Sequence, residues 1–248
     1  MEETGKAEAE ARKPPAAPPV SIRRAAFTGG HLETLTEEGQ ISRDRLLRAA
    51  AAAFTQKGFA ATSIEDVARR LGATKGLVYH HYRSKNDLFF DVCRHGIGID
   101  MAAVEPHAAA RDRAVTRLAR MAVAHVAAML ERRDFQLAIL EGVSIHLGKR
   151  IDEEDRATLA SLVAARERYE AIFADTLAAA IAEGDVETTI APALCAAALL
   201  AVLNAPLSRQ ALCGQERPED RAAIARDLTI FALRGAGASS AILAEEFG

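Results

Sequence analysis

Thr74, Lys75, Gly76 and Tyr79 stand within six residues of one another. A hydroxyl, an ammonium and a phenol are groups that donate hydrogen bonds to phosphate oxygens and base edges. A glycine among them puts no side chain between a backbone and whatever it approaches. This chemistry is recognition of a polyanion, and bond-making chemistry has no counterpart in the chain. The sequence holds no G-x-S-x-G, H-E-x-x-H, Walker A or dinucleotide glycine pattern, so no enzymatic activity and no cofactor are expected. His80 and His81 are adjacent, so on a helix they point apart and make no metal pair. The acidic run Asp152 to Asp155 suits the positive end of a helix better than a metal. No metal site is expected.

Such a row needs a short helix that packs one side and shows the other. Thr62-Ser63-Ile64-Glu65 has the pattern of a capping box, with Thr62 accepting from the Glu65 amide. Ile64, Val67, Ala68 and Leu71 then recur at i, i+3, i+4, i+7, which predicts a short amphipathic helix over 64–71 closed by Gly72. Thr74 is placed to cap a second helix over 74–81, with Val78 and Tyr82 inward and Lys75, Gly76 and Tyr79 outward. Two short helices joined by a tight glycine turn are the helix-turn-helix plan. An earlier helix begins near Ile41, carries Leu46, Ala50, Ala53 and Phe54 on one stripe and stops at Gly58. A fourth begins near Ser84 and is expected to end before Pro106, because proline disfavours helix at the residue before it.

The chain as a whole is consistent with this plan. Half of the 248 residues are hydrophobic, few are aromatic, and alanine is abundant. The expected fold is all-α. Net charge is −3, yet residues 41–100 carry 10 Lys and Arg against 6 Asp and Glu. A basic segment on an acidic body suits a protein that turns one face to phosphate. Cys93, Cys195 and Cys213 are far apart, which argues against a disulfide framework and fits a reducing cytoplasm. The N-terminus lacks the apolar core of a secretory signal. The uncharged stretch Thr188 to Ser208 is bracketed by Pro192 and Pro206, too short a helix to cross a membrane. Residues 1–40, with a Pro/Ala-rich run, read as a mostly disordered arm whose Arg23 and Arg24 could touch a minor groove.

The run Gly58 to Ala68, then Leu71 to Tyr82, then Ser84-Lys85-Asn86-Asp87-Leu88 resembles the TetR (tetracycline-repressor-like) family over about 60 residues. The resemblance implies a three-helix DNA-binding domain over 41–87 and a larger helical ligand-binding and dimerisation domain over 88–248. It implies that Thr74, Lys75 and Gly76 meet bases, that Tyr79, His81 and Lys85 meet phosphate, and that His80 lies in the same contact region. Thr62 and Ser63 would offer hydroxyls and helix N-terminal amides to phosphate. Where the family usually has Ser and Phe, this chain has Thr74 and Tyr82. The implied function is a sequence-specific regulator, a repressor released by a small-molecule effector, acting as a homodimer on a near-palindromic double-stranded operator without any membrane partner.

Helices are expected near 110–131, 134–147, 153–183, 192–205 and 218–235, with Gly184, Gly214 and Gly235 at or beyond helix ends. Met121, His125, Met129, Phe135, His146, Tyr169, Phe173 and Asn204 are candidates for an apolar pocket with sparse polar contacts. The stretches 165–173 and 200–204 are loosely similar to a TetR branch that answers to acyl-CoA thioesters, where Arg166 and Arg168 could meet phosphates. The alternatives are a sensor of drugs or other apolar effectors that controls efflux, or a non-specific architectural DNA-binding protein. Leu199, Ile224, Leu228 and Phe231 are candidates for the dimer interface. Gly96 and Gly98 predict a bendable link in the fourth helix.

Overall fold

The computed structural model describes residues 37–146, 153–207 and 217–248, with the side chains of 37–42, 141–146, Glu154 and Pro218 left aside. Arg23, Arg24, Cys213 and Gly214 lie outside the described residues. All ten principal elements among these are α-helices: α1 Glu37–Lys57, α2 Ile64–Leu71, α3 Lys75–His81, α4 Lys85–Ala108, α5 Ala114–Glu131, α6 Arg133–His146, α7 Glu153–Ala182, α8 Pro192–Leu203, α9 Arg221–Ala236 and α10 Ser240–Phe247. Extended pairing among the described residues is confined to one bridge between Val186 and Ala238. None of the described helices is long and apolar enough to cross a membrane.

Two apolar clusters organise the helices. One gathers Leu46, Leu47 and Phe54 of α1, Ile64 and Val67 of α2, Val78 of α3 and Leu88 to Phe90 of α4. It continues without a break into Phe135 and Ile139 of α6 and Leu159 and Leu162 of α7. The other is built from α5, α7, α8 and α9, with Leu118, Met121, Phe173, Leu177, Leu203 and Leu233 fully buried. Helix α4 belongs to both: its first half lies in the first cluster, and Val104 lies in the second. Thr55 Oγ1 donates to the Asp134 carbonyl at 3.0 Å, and Asn86 Nδ2 to Asp155 Oδ2 at 2.5 Å. The N-terminal helices and the start of α4 are therefore hydrogen-bonded to the larger body as well as packed on it.

Three sequence expectations change. Helix α4 runs through Pro106 to Ala108. Pro106 lacks the amide that would donate to the Ala102 carbonyl, and the helix ends two residues after it. Helix α9 continues past Gly235 and is capped by Gly237, at φ 107. Helix α10 was not anticipated. Gly96 is explained by close packing: a Cβ there would come 2.7 Å from Ile139 Cδ1 and 3.3 Å from Phe135 Cβ of α6. At Gly98 a Cβ would meet nothing within 4 Å.

Gly237 combines a left-handed backbone with a Cβ position that would run into the Glu187 carbonyl. Gly237→Ala is expected to lower stability by at least about 1 kcal/mol, read as a fall in the urea midpoint. An unchanged midpoint would contradict this packing of the 186–187 segment on the end of α9.

Candidate nucleic-acid interface and interior cavity

The turn between α2 and α3 is built by local chemistry. Ser63, not Thr62, caps α2: its Oγ accepts from the Asp66 amide at 3.2 Å, and Asp66 Oδ2 accepts from the Ser63 amide at 3.0 Å. Thr62 is 2% exposed, and its hydroxyl faces the carbonyls of Gly58 at 2.7 Å and Ala53 at 3.1 Å. It fastens the loop after α1 and is not offered to a phosphate, which corrects the expectation. Lys57 Nζ lies 2.6 Å from the Asp66 carboxylate, and that ammonium, with the Ser63 amide and hydroxyl, holds Asp66 well below the usual carboxylate range. Gly72 ends α2 at φ 72, which only a residue without Cβ adopts at no cost. Thr74 caps α3 as expected, its hydroxyl accepting from the Leu77 amide at 3.3 Å.

Val78 is fully buried and is the anchor of α3. The rest of α3 faces out. Lys75, Gly76, Tyr79, His80 and His81 are exposed. Lys75 Nζ pairs with the Glu65 carboxylate and stands 5.4 Å from the centre of the Tyr79 ring. The pair raises the Lys75 pKa, so the ammonium is charged throughout the neutral range. Partial burial, then the neighbouring His80, lowers the His81 pKa and keeps its imidazole neutral near pH 7. Leu77, 39% exposed beside them, was not singled out from the sequence. A lone apolar residue one step from the buried Val78 carries no periodic signal, yet a thymine methyl is the kind of group it suits.

A second correction concerns Lys85. Its ammonium turns inward, 2.7 Å from the Phe59 carbonyl and 2.9 Å from that of Thr62, with the Phe59 ring centre at 4.4 Å. It ties the start of α4 to the loop before α2. Tyr82 closes α3 with its hydroxyl 2.5 Å from Asp91 Oδ2. Asp91 is buried and also receives two hydrogen bonds from Arg43 of α1, each 2.8 Å, and one from Arg94 at 3.0 Å.

A separate cavity of about 20 Å³ lies inside the larger body. That is room for about one water. Ile97, Met129, Ile139 and Leu200 supply its apolar wall. Asp100, His125, Arg166, Tyr169, Glu170 and Asn204 supply its polar wall. Five of the residues expected from the sequence thus meet: His125, Met129, Arg166, Tyr169 and Asn204. Phe173 is one layer back, its ring edge-on to His125 at 5.8 Å. Met121 is buried in the body core and does not line the cavity. Phe135 is corrected to the first cluster, where it packs from α6 against Gly96 of α4. His146 ends α6, and its side chain lies outside the described part. Arg168 is exposed on α7, away from the lining.

Asp100 was missed, because a single acid on an apolar helix reads as a solvent-facing residue. It is 6% exposed, and both its oxygens accept from the buried Gln136 amide at 2.8 and 3.0 Å. Burial pushes its pKa up to about 7. His125, 1% exposed, has Nδ1 2.6 Å from the Tyr169 hydroxyl, and burial pushes its pKa down to about 4. The Asn204 side chain stands beside the ring and, as an acceptor towards it, raises the His125 pKa against the larger effect of burial, while His125 Nε2 has no fully formed hydrogen bond among the described residues. No group of side chains that could hold a metal occurs among the described residues.

On α8 and α9 the exposed apolar groups are Leu194, 64% exposed, and Phe231, 67% exposed. Ile224 and Leu228 are partly buried against the body core. Leu199 is 3% exposed and packs inward, so it is corrected from interface to core. Alanines 193, 197, 198 and 201 share the exposed side of α8 with Leu194.

The family described as bacterial regulatory proteins, tetR family, matches residues 46–92. The TetR family regulator PfmR from Thermus thermophilus superimposes with a TM-score of 0.64 at 30% identity, covering 77% of this chain and 98% of PfmR. Among curated sequences, the transcriptional repressor KstR2 of Mycolicibacterium smegmatis is 40% identical over 52 residues, 21% of this chain and 25% of KstR2. The matches to curated relatives that include KstR2 span 20–29% of those relatives' length. The structure of AibR with isovaleryl coenzyme A and operator DNA shares the fold, with a TM-score of 0.58 at 19% identity, over 76% of this chain and 98% of AibR.

The two buried ionisable groups have opposite pH signatures. Asp100 has a raised folded-state pKa, so its contribution is lost as pH rises from about 4 to about 7. His125 has a lowered one, so its contribution is lost as pH falls from about 6.5 to about 4. In the wild type these slopes oppose each other. Asp100→Asn is expected to leave stability rising from about pH 4 to about 6.5 and to raise it above wild type at about pH 8, measured by urea unfolding. A variant less stable than wild type at that alkaline pH would contradict the burial of an ionisable Asp100.

Proposed function

Because the chain belongs to the TetR family of bacterial transcriptional regulators, we propose that α3 enters the major groove of an operator and that occupation of the interior cavity weakens this binding. The observation that carries the reading is the outward row on α3. Thr74, Lys75, Gly76, Leu77 and Tyr79 present donors, a gap and an apolar group along one short helix, while Val78 alone anchors it from behind. Ser63, His80 and His81 lie at its edges and would meet backbone phosphate. The DNA-reading part is the segment 41–87, and residues 88–248 hold the effector and the partner protomer.

The active species is a homodimer, and its sign is repression. Leu194, Phe231 and the exposed alanines of α8 supply a face for a second copy, with Ile224 and Leu228 at its margin. Two copies would place their α3 helices about 34–36 Å apart, one turn of duplex, on a near-palindromic site. The effector is an acyl-CoA thioester. The likeness to AibR supports this class, and so does a cavity whose lining combines apolar side chains with a few polar ones. Arg166 sits in that lining, paired with Glu170 at 2.9 Å. Exposed Arg168 on the same helix would meet the phosphates of the coenzyme outside.

Operators selected from random duplexes and footprinted with the purified protein test the reading. Two symmetric half-sites protected by a dimer are expected, and a panel of acyl-CoAs should release the complex. Tyr79→Ala and Lys75→Ala should each weaken the selected site by about 1–3 kcal/mol. A single unsymmetrical half-site bound by a monomer, or variants that bind as well as wild type, would overturn it.

A further inference from the structure

His125 is the one buried polar group of the cavity wall with an unanswered hydrogen-bonding atom among the described residues. Its tautomer follows from its neighbour. The Tyr169 hydroxyl has His125 Nδ1 as its hydrogen-bond partner, at 2.6 Å. A buried hydroxyl hydrogen needs an acceptor, so the phenol donates and Nδ1 accepts. A neutral imidazole with Nδ1 unprotonated carries its hydrogen on Nε2. Nε2–H is therefore a donor with no fully formed hydrogen bond, and Asn204, whose side chain faces it, can turn its NH2 to the same ligand oxygen as a second donor once that oxygen takes Nε2–H.

The charges in the wall limit what such donors can take. A buried ionised carboxylate is stable only when paired. The cation of this wall, Arg166, already faces Glu170. Asp100 stands in the same lining with both oxygens held by Gln136. A ligand carboxylate would add a third acid beside Asp100 and Glu170, and an ammonium, though drawn to those acids, has no lone pair to accept from His125 Nε2–H and would leave that donor unanswered beside the Arg166 guanidinium. A neutral oxygen meets none of these conflicts. Ile97, Met129, Ile139 and Leu200 would then surround the apolar chain that carries it.

We propose that this cavity recognises a neutral carbonyl oxygen on an apolar chain, held by His125 Nε2–H and the Asn204 side-chain amide. The inference rests on the reading of the cavity as the effector site and names the atom that site reads. A thioester and a ketone share this chemistry. The cavity is small in the described state, so the ligand enters by displacing side chains of the wall, with the flexible Met129 the readiest to move.

Titration calorimetry of the full-length dimer with 2-octanone, S-methyl hexanethioate, octanoic acid, octylamine and octane tests it at neutral pH. A carbonyl compound should bind about tenfold more tightly than octane, the value of one satisfied neutral hydrogen bond, and more tightly than the acid or the amine. The ratio of ketone to thioester tells which carbonyl is read better. His125→Phe keeps the ring and removes the donor, so it should erase the preference for carbonyl over octane while octane still binds. Asn204→Leu, less buried, should reduce the preference in a protein whose melting point is near wild type. Equal or tighter binding of the acid or amine, or a preference unchanged in both variants, would overturn the inference and leave the effector-site reading standing. Binding of none of the probes would overturn the inference, and with a dimer that also ignores every acyl-CoA it would overturn the effector-site reading too.

Discussion

The buried carboxylate of Asp91 is the interaction on which the orientation of α3, the helix proposed to read DNA, depends. Alone at that depth it would be costly. It is tolerated because Arg43 of α1, Tyr82 at the end of α3 and Arg94 of its own helix all donate to it. Helix α3 has seven residues and a single fully buried side chain, Val78. So short a helix is not stable in isolation. Its pose is set at one end by Thr74 and the Gly72 turn, at the middle by Val78, and at the other end by Tyr82 on Asp91.

Asp91 also explains how the reader and the body share one frame. It stands on α4, nine residues before Asp100 of the cavity wall, a separation of about 13 Å along one helix. Ile97 faces the cavity from the same helix, and Gly96 lets α6 approach it closely. Helix α6 in turn gives Ile139 to the cavity, Phe135 to the reader's apolar cluster and Gln136 to Asp100. Anything that displaces the wall at Asp100 or Ile139 therefore acts on the two helices that the reader packs against.

Much of the proposed DNA-facing site was legible because its demands are local. The i, i+3, i+4, i+7 stripe of α2, the glycine turn and the Thr74 cap each leave a mark within a few residues, and all three stand where the pattern put them. What failed locally failed by one register or by tertiary contact. Thr62-x-x-Glu65 and Ser63-x-x-Asp66 are both capping patterns, and the choice fell to Ser63 because Thr62 is drawn into the loop by the carbonyls of Ala53 and Gly58. Lys85 looks like any exposed lysine until the Phe59 and Thr62 carbonyls are folded beneath it. In the body, α8 is uncharged all round, so periodicity could not tell Leu199, which packs inward, from Leu194, which does not. Asp100 and Gln136 are 36 residues apart, and no local rule links them.

Asp91 sets the pose of α3 through Arg43, Tyr82 and Arg94, all on α1, α4 and the end of α3. Hydrogen exchange on Asp91→Asn, followed residue by residue, tests it most directly. The amides of Val78 and Tyr82 should lose protection and operator affinity should fall, while those of α5 and α7 keep the protection they have in the wild type. Protection lost evenly over all helices, or unchanged on α3, would contradict the claim.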